Sequence, residues 1–85
     1  MPTIFRIGGN GGWQVRVIPG DHRPAHVHVM KDASEAVFKL NCPQGPVELR
    51  ESYNCAHHVL TWLEAELNAR VVDGCNGWRT YANQP

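Results

Sequence analysis

The 85-residue sequence has no excess of either charge, because eight Lys and Arg residues balance eight Asp and Glu residues. A balanced chain has no overall attraction to nucleic acid or to an anionic membrane, so any basic surface must be local. The sequence also lacks an apolar run of membrane-spanning length, and its first residues, "MPTIFRIGG", lack the apolar stretch of a secretory signal. These absences predict a protein with no membrane partner and a cytoplasmic location.

The cysteines show no pairing motif. Cys42, Cys55 and Cys75 contain no CxxC spacing, and one of the three would be left over from any disulfide. They could be metal ligands or a nucleophile, but free cysteine most often behaves as a small hydrophobic residue. We therefore interpret them as bystanders in a reducing compartment, in agreement with a cytoplasmic location.

Alternation of apolar and polar residues predicts antiparallel strands along the first half of the chain. The segments "TIFRIG" and "WQVRVIP" flank an Asn-Gly sequence, which is a strong hairpin signal. Two further alternating segments follow, "HVHVMK" (26–31) and "EAVFKLN" (35–41). The short segment "VEL" (47–49) is a candidate fifth strand.

The second half of the chain predicts a helix over residues 55 to about 72. Its apolar residues recur with the helical period, at Ala56, Val59, Leu60, Leu63 and Leu67. Gly74 is a natural stop, which leaves a packed or partly flexible tail at 75–85. Residues 1–85 are therefore expected to form one α+β domain. In it, one face of a four- or five-stranded antiparallel sheet (3–49) is covered by a C-terminal helix.

Several segments in the same order resemble a family of short prokaryotic proteins designated DUF4160, a domain of unknown function. They are the initial "MPTIFRI", a Gly-containing hairpin, "HVHV" after a proline, "EAVFKL", and "VEL" before a helix. The resemblance runs from residue 1 to about 70. Members are single-domain proteins without an established activity, often encoded beside another small uncharacterised protein. The resemblance therefore implies a paired, toxin–antitoxin-like system with a cognate small protein as partner.

Alternation also sorts the side chains between the two faces of the sheet. If the apolar face packs on the helix, the opposite face carries Arg6, Arg16, His26, His28 and Lys39. The inward-facing set is then Phe5, Ile7, Trp13, Val15, Val17, Val27, Val29, Ala36, Phe38 and Leu40.

The polar face suggests a site for RNA or phosphate. Imidazole exchanges protons near neutral pH, so His26 and His28 are candidate catalytic residues, a general base and a general acid for cleavage at an RNA 2′-hydroxyl. Arg6, Arg16 and Lys39 are candidate anion-binding residues. No carboxylate is obviously placed to orient either ring. The alternative is an ordinary solvated face of an antiparallel sheet, which must be polar.

Metal binding is a further alternative. Histidines two residues apart on a strand can hold one ion, but a stable site needs three or four ligands. Asp21, His22 and Glu35 are the nearest candidates, and none has a confirming spacing to His26 and His28. We therefore assign no metal site and no cofactor, and expect zinc or nickel to bind weakly at best.

The predicted helix carries a candidate partner-binding surface. His58 and Trp62 lie away from the leucine stripe and one turn apart. Exposed tryptophan often anchors a protein interface. Alternatively, the tail folds back and covers Trp62 through Trp78 or Tyr81.

The sequence thus supports three functions. The first is a cytoplasmic, toxin–antitoxin-like component that binds or acts on RNA through the histidine-bearing face. The second is a non-catalytic module whose helix and tail bind a cognate protein, and the third is a metal-binding protein that uses His26 and His28. Whether the protein is an enzyme, and its oligomeric state, are left open.

Overall fold

The computed structural model describes residues 2–10 and 12–82 and places five strands before two helices. They are β1 (Thr3–Ile7), β2 (Trp13–Arg16), β3 (His26–Lys31), β4 (Ser34–Lys39), β5 (Glu48–Tyr53), α1 (His57–Ala69) and α2 (Val71–Tyr81). The strands form one sheet in the order β1-β2-β3-β4-β5, and every neighbouring pair is antiparallel. The α+β class and the antiparallel sheet with C-terminal helices are confirmed.

The fifth strand is longer than its sequence signal. It pairs with β4 from Glu48 to Tyr53, past the expected end of the sheet at Leu49. Its side chains are almost all exposed, because β5 lies at the edge of the sheet. Backbone pairing alone makes this segment a strand, so apolar alternation could not reveal its length.

The predicted inward face is confirmed as the core. All ten side chains assigned to it are at most 9% exposed, and several of the valines are at 0%. Leu63 and Leu67 of α1 join this cluster, together with Val71, Cys75 and Trp78 of α2. The sheet therefore buries its apolar face under both helices.

The expected helix stop at Gly74 is wrong. The helix breaks earlier, at Arg70 with φ −128° and ψ 29°, and α2 then runs through Gly74 and Gly77. A Cβ on Gly77 would lie 2.6 Å from a side-chain carbon of Ile4, and one on Gly74 would lie 3.2 Å from Leu40. The glycines that resemble helix stops are therefore positions where α2 approaches the sheet closely, so the tail is packed as far as Ala82.

The interpretation of all three cysteines as bystanders is also wrong. Cys42 and Cys75 form a disulfide between the segment after β4 and α2, across a sequence separation of 33 residues. Cys55 stays a free thiol. The disulfide removes the cysteine-based support for a reducing compartment. In the part of the chain that the structure describes, no helix is both long and apolar enough to cross a bilayer.

Candidate metal site on the histidine strand

His26 and His28 share one face of β3, as the alternation predicts. Their ring centroids are 5.3 Å apart, with the ring planes inclined by 63°. The pair is not open to solvent, however. His26 is only 8% exposed, and its ring lies 5.2 Å from the ring of Trp78 in α2. The side chain of His28 is 15% exposed. The rings therefore lie in a recess beside α2, whereas the sequence predicted an open sheet face.

A carboxylate does orient the two rings, contrary to the expectation from the sequence. Oδ2 of Asp21 lies 3.0 Å from Nε2 of His26 and 3.3 Å from Nε2 of His28. Asp21 belongs to the connection between β2 and β3, which turns at Gly20 with a φ of +82°. The N–H of Gly20 donates to the carbonyl of Ala82, 2.8 Å away, and this bond ties the connection to the end of α2.

The other nitrogen of each ring also has an oxygen partner. Nδ1 of His26 lies 2.9 Å from the carbonyl oxygen of Pro24. Nδ1 of His28 lies 3.1 Å from Oε2 of Glu35. Each ring nitrogen thus faces an oxygen that only accepts hydrogen bonds, and a neutral ring, which carries one N–H, can donate to only one of its two partners. In the assignment with the proton on Nδ1, Nε2 of both rings carries a lone pair.

This assignment directs three electron pairs to one point. The two Nε2 lone pairs face the same oxygen of Asp21, itself an acceptor. Three acceptors in mutual contact repel unless a positive charge lies among them. A hydrogen on Nε2, carried by the other neutral tautomer or by a doubly protonated ring, or one metal ion supplies that charge.

The distances fit a metal ion. The candidate ligand atoms of Asp21, His26 and His28 all lie within 4.8 Å of one another. Nitrogen and oxygen ligands about 2.0–2.1 Å from a tetrahedral zinc ion are about 3.3–3.4 Å from each other. The two separations from Asp21, 3.0 and 3.3 Å, are close to that value. The structure therefore brings a third candidate ligand, Asp21, to the two that the sequence offered.

The outer contacts resemble those around bound metals. A ligating histidine commonly donates its second N–H to a carboxylate or a backbone carbonyl, which fixes the ring and its tautomer. Glu35 is in position to do this for His28, and the carbonyl of Pro24 for His26. His22, the other nearby candidate in the sequence, is exposed and does not belong to the cluster.

The three predicted anion-binding residues lie at different places on the histidine face. Arg16 lies opposite His28 and Lys39 opposite His26 in the strand register, while Arg6 lies on β1. Arg16 donates from Nη2 to Oε1 of Gln14, and its Nε is buried without a partner among the described residues. Lys39 lines a separate cavity beside α2.

Acidic residues also occupy this face. Glu35 lies opposite Tyr53, Glu51 opposite Val37 and Glu48 opposite Lys39, so three carboxylates share this face with the cations. The face has mixed charge, and its basic character is weaker than the sequence predicted.

The candidate partner surface on α1 remains accessible. His58 is exposed, and Trp62 is 38% exposed, with its ring edge directed toward Gly8. Trp78, which lies on α2, packs against His26 of β3. A role of His58 and Trp62 in partner binding stays a prediction.

The fold and the site together define a small α+β protein whose central strand carries two histidines in a partly buried cluster with carboxylates. A family model described as Domain of unknown function (DUF4160) matches residues 12–70. The chain therefore belongs to this family, and the resemblance seen in the sequence is confirmed. The match includes Asp21, His26, His28 and Glu35 and excludes α2. Comparison with curated proteins and with solved structures returned no match.

Proposed function

We propose that this protein binds one divalent transition-metal ion through Asp21, His26 and His28. The observation that carries the proposal is the convergence of both Nε2 atoms on a single Asp21 oxygen while both Nδ1 atoms face acceptors. Two imidazoles and one carboxylate suit zinc, nickel and iron(II), and they suit the hard ions magnesium and calcium poorly.

One alternative to a metal ion is a doubly protonated pair. It would place two imidazolium charges on rings 5.3 Å apart, largely shielded from water. A single divalent ion replaces both Nε2 protons and contacts all three ligand atoms.

Three protein ligands leave at least one coordination position for water or another small ligand. This number is typical of catalytic zinc sites, whereas structural sites are closed by four protein ligands. We therefore propose that the bound ion has at least one open coordination position, and we assign no reaction to this site.

The RNA-binding, toxin–antitoxin-like function remains a prediction of lower rank. Its support is the presence of Arg6, Arg16 and Lys39 on the histidine face and the paired genes that the family resemblance implies. The carboxylates on the same face weaken attraction to a polyanion. A cytoplasmic location and a cognate protein bound at Trp62 likewise remain predictions.

The test is metal binding by protein purified without a histidine tag. Chelator-treated protein is titrated with zinc, nickel and cobalt(II) by calorimetry, and the cobalt complex is followed by absorbance. We expect one ion per chain and loss of that ion in His26→Ala, His28→Ala and Asp21→Asn. The matched control is His57→Ala, which removes an exposed histidine of α1 and should leave binding unchanged.

Two results contradict the proposal. One is the absence of binding tighter than about 1 mM, since even weak specific sites exceed this affinity. The other is equal binding by the wild type and His28→Ala. An RNA that binds the metal-free protein and is released by His26→Ala would instead support the lower-ranked function.

A further inference from the structure

A second candidate site lies between α2 and the end of β4. It is a cavity of about 690 Å³, and none of the three proposed metal ligands lines it. Its walls come from the connection before β3, from the segment around the end of β4, and from α2. The volume is typical of sites for small organic ligands.

The charge of the cavity differs from that of the whole chain. Arg23, Lys39 and Arg79 line it, and none of the described residues in its walls is acidic. The three cations come from segments far apart in the sequence, so only the fold brings them together. In a chain with a formal net charge of zero, this is a local positive region that favours an anion.

None of the three cations forms an ion pair among the described residues, although Glu48 lies opposite Lys39 in the strand register. Among the described residues, the side chains of Arg23 and Lys39 have no hydrogen-bond or ion-pair partner. Arg79 donates from Nη2 to the amide oxygen of Asn76, which is uncharged. The positive charge therefore remains available to a ligand, and arginine can bind a phosphate group through two parallel hydrogen bonds.

The rest of the wall is largely apolar. Pro24, Val72 and Trp78 contribute apolar surface, and the Cys42–Cys75 disulfide lies in the wall and joins its two sides. A bare inorganic ion would contact only part of this surface. The combination of three cations and an apolar wall therefore fits a molecule with an anionic head and a ring.

We propose that this cavity binds a small phosphate ester that carries an aromatic ring, with Arg23, Lys39 and Arg79 holding the phosphate. The ring contacts the apolar wall beside Trp78. The site is distinct from the metal cluster, because the two share no ligand residue. Pro24 and Trp78 in its wall also contact His26, so the two sites are neighbours.

The test is calorimetric titration with four probes: phenyl phosphate, adenosine monophosphate, adenosine and inorganic phosphate. Titrations are done with chelator present, so that the metal site cannot contribute. We expect the two esters to bind at least tenfold more tightly than adenosine or inorganic phosphate. Affinity for the esters should fall as salt concentration rises, since the attraction is between charges.

Charge-neutralising variants locate the site. Arg23→Gln, Lys39→Gln and Arg79→Gln should each weaken ester binding at least tenfold. Arg50→Gln makes the same charge change at an exposed position of β5 outside the cavity and should have no effect. Thermal midpoints measured for all four variants separate loss of binding from loss of folding, and Arg79→Lys should restore part of the affinity.

Three outcomes of these titrations overturn the proposal. They are no ester binding at millimolar concentration, equal binding of adenosine and its monophosphate, and unchanged binding in folded Arg23→Gln and Arg79→Gln variants. A single-stranded oligonucleotide that binds more tightly than the monophosphate would also overturn it, because a cavity of this size holds one nucleotide.

Discussion

Reduction of the Cys42–Cys75 disulfide should remove a large part of the stability of this domain. The bond closes a loop with a sequence separation of 33 residues. In the chain-entropy treatment, opening such a loop in the unfolded state lowers the free energy of unfolding by about 3.7 kcal/mol at 25 °C. Small domains have only about 5–15 kcal/mol of stability in total. The thermal midpoint should then fall by roughly 15–30 °C, at about 4–8 °C per kcal/mol for a domain of this size.

The assay is urea unfolding of the oxidised and the reduced protein, followed by tryptophan fluorescence and by circular dichroism. The unfolded oxidised protein should show a single reactive thiol, Cys55, and the reduced protein all three cysteines. Cys55→Ser should lose the same stability on reduction, which excludes thiol exchange as the cause. Three reactive thiols in protein prepared without reductant, or a loss below about 1 kcal/mol, would refute the reasoning, because the entropic effect of so long a loop is larger.

Three further perturbations follow from close contacts. Gly77→Ala should destabilise the protein by about 1–3 kcal/mol in urea unfolding, since its Cβ would lie 2.6 Å from Ile4. An unchanged unfolding midpoint would mean that α2 does not pack closely against β1. Trp78→Ala should lower the free energy of unfolding by about 3–5 kcal/mol, because a buried aromatic ring leaves a cavity; a loss below about 1 kcal/mol would contradict its buried position. Glu35→Gln should weaken zinc binding about 10–100-fold by calorimetry, because a neutral amide supports the Nδ1–H of His28 less well; equal affinity would exclude Glu35 from the site.

The local pattern of the sequence was sufficient to predict which side chains lie on each face of the sheet. Side chains alternate strictly along a strand, so the order His26, Val27, His28, Val29 places both histidines on one side without any knowledge of the partner strands. Val27 and Val29 are fully buried, as this rule requires. The same reasoning found β1 to β4, because each of these strands carries its own apolar alternation.

The local pattern was not sufficient where a structure depends on residues far apart. β5 is a strand because β4 pairs with it, and its exposed side chains carry no alternation. Gly74 and Gly77 terminate helices in isolation, yet here they let α2 lie close to Leu40 and Ile4. Intrinsic propensity is a weak influence that tertiary packing overrides.

The local sequence pattern could predict one part of the candidate site, and only the tertiary structure revealed the other part. His26 and His28 could be named from the sequence, because residues two apart on a strand are neighbours on one face. The role of Asp21 could not, because a loop residue has no fixed direction, and its position depends on the turn at Gly20 and the bond to Ala82. The disulfide, the cavity and the approach of Asp21 to the histidines likewise depend on where the chain returns, and only the tertiary structure decides that.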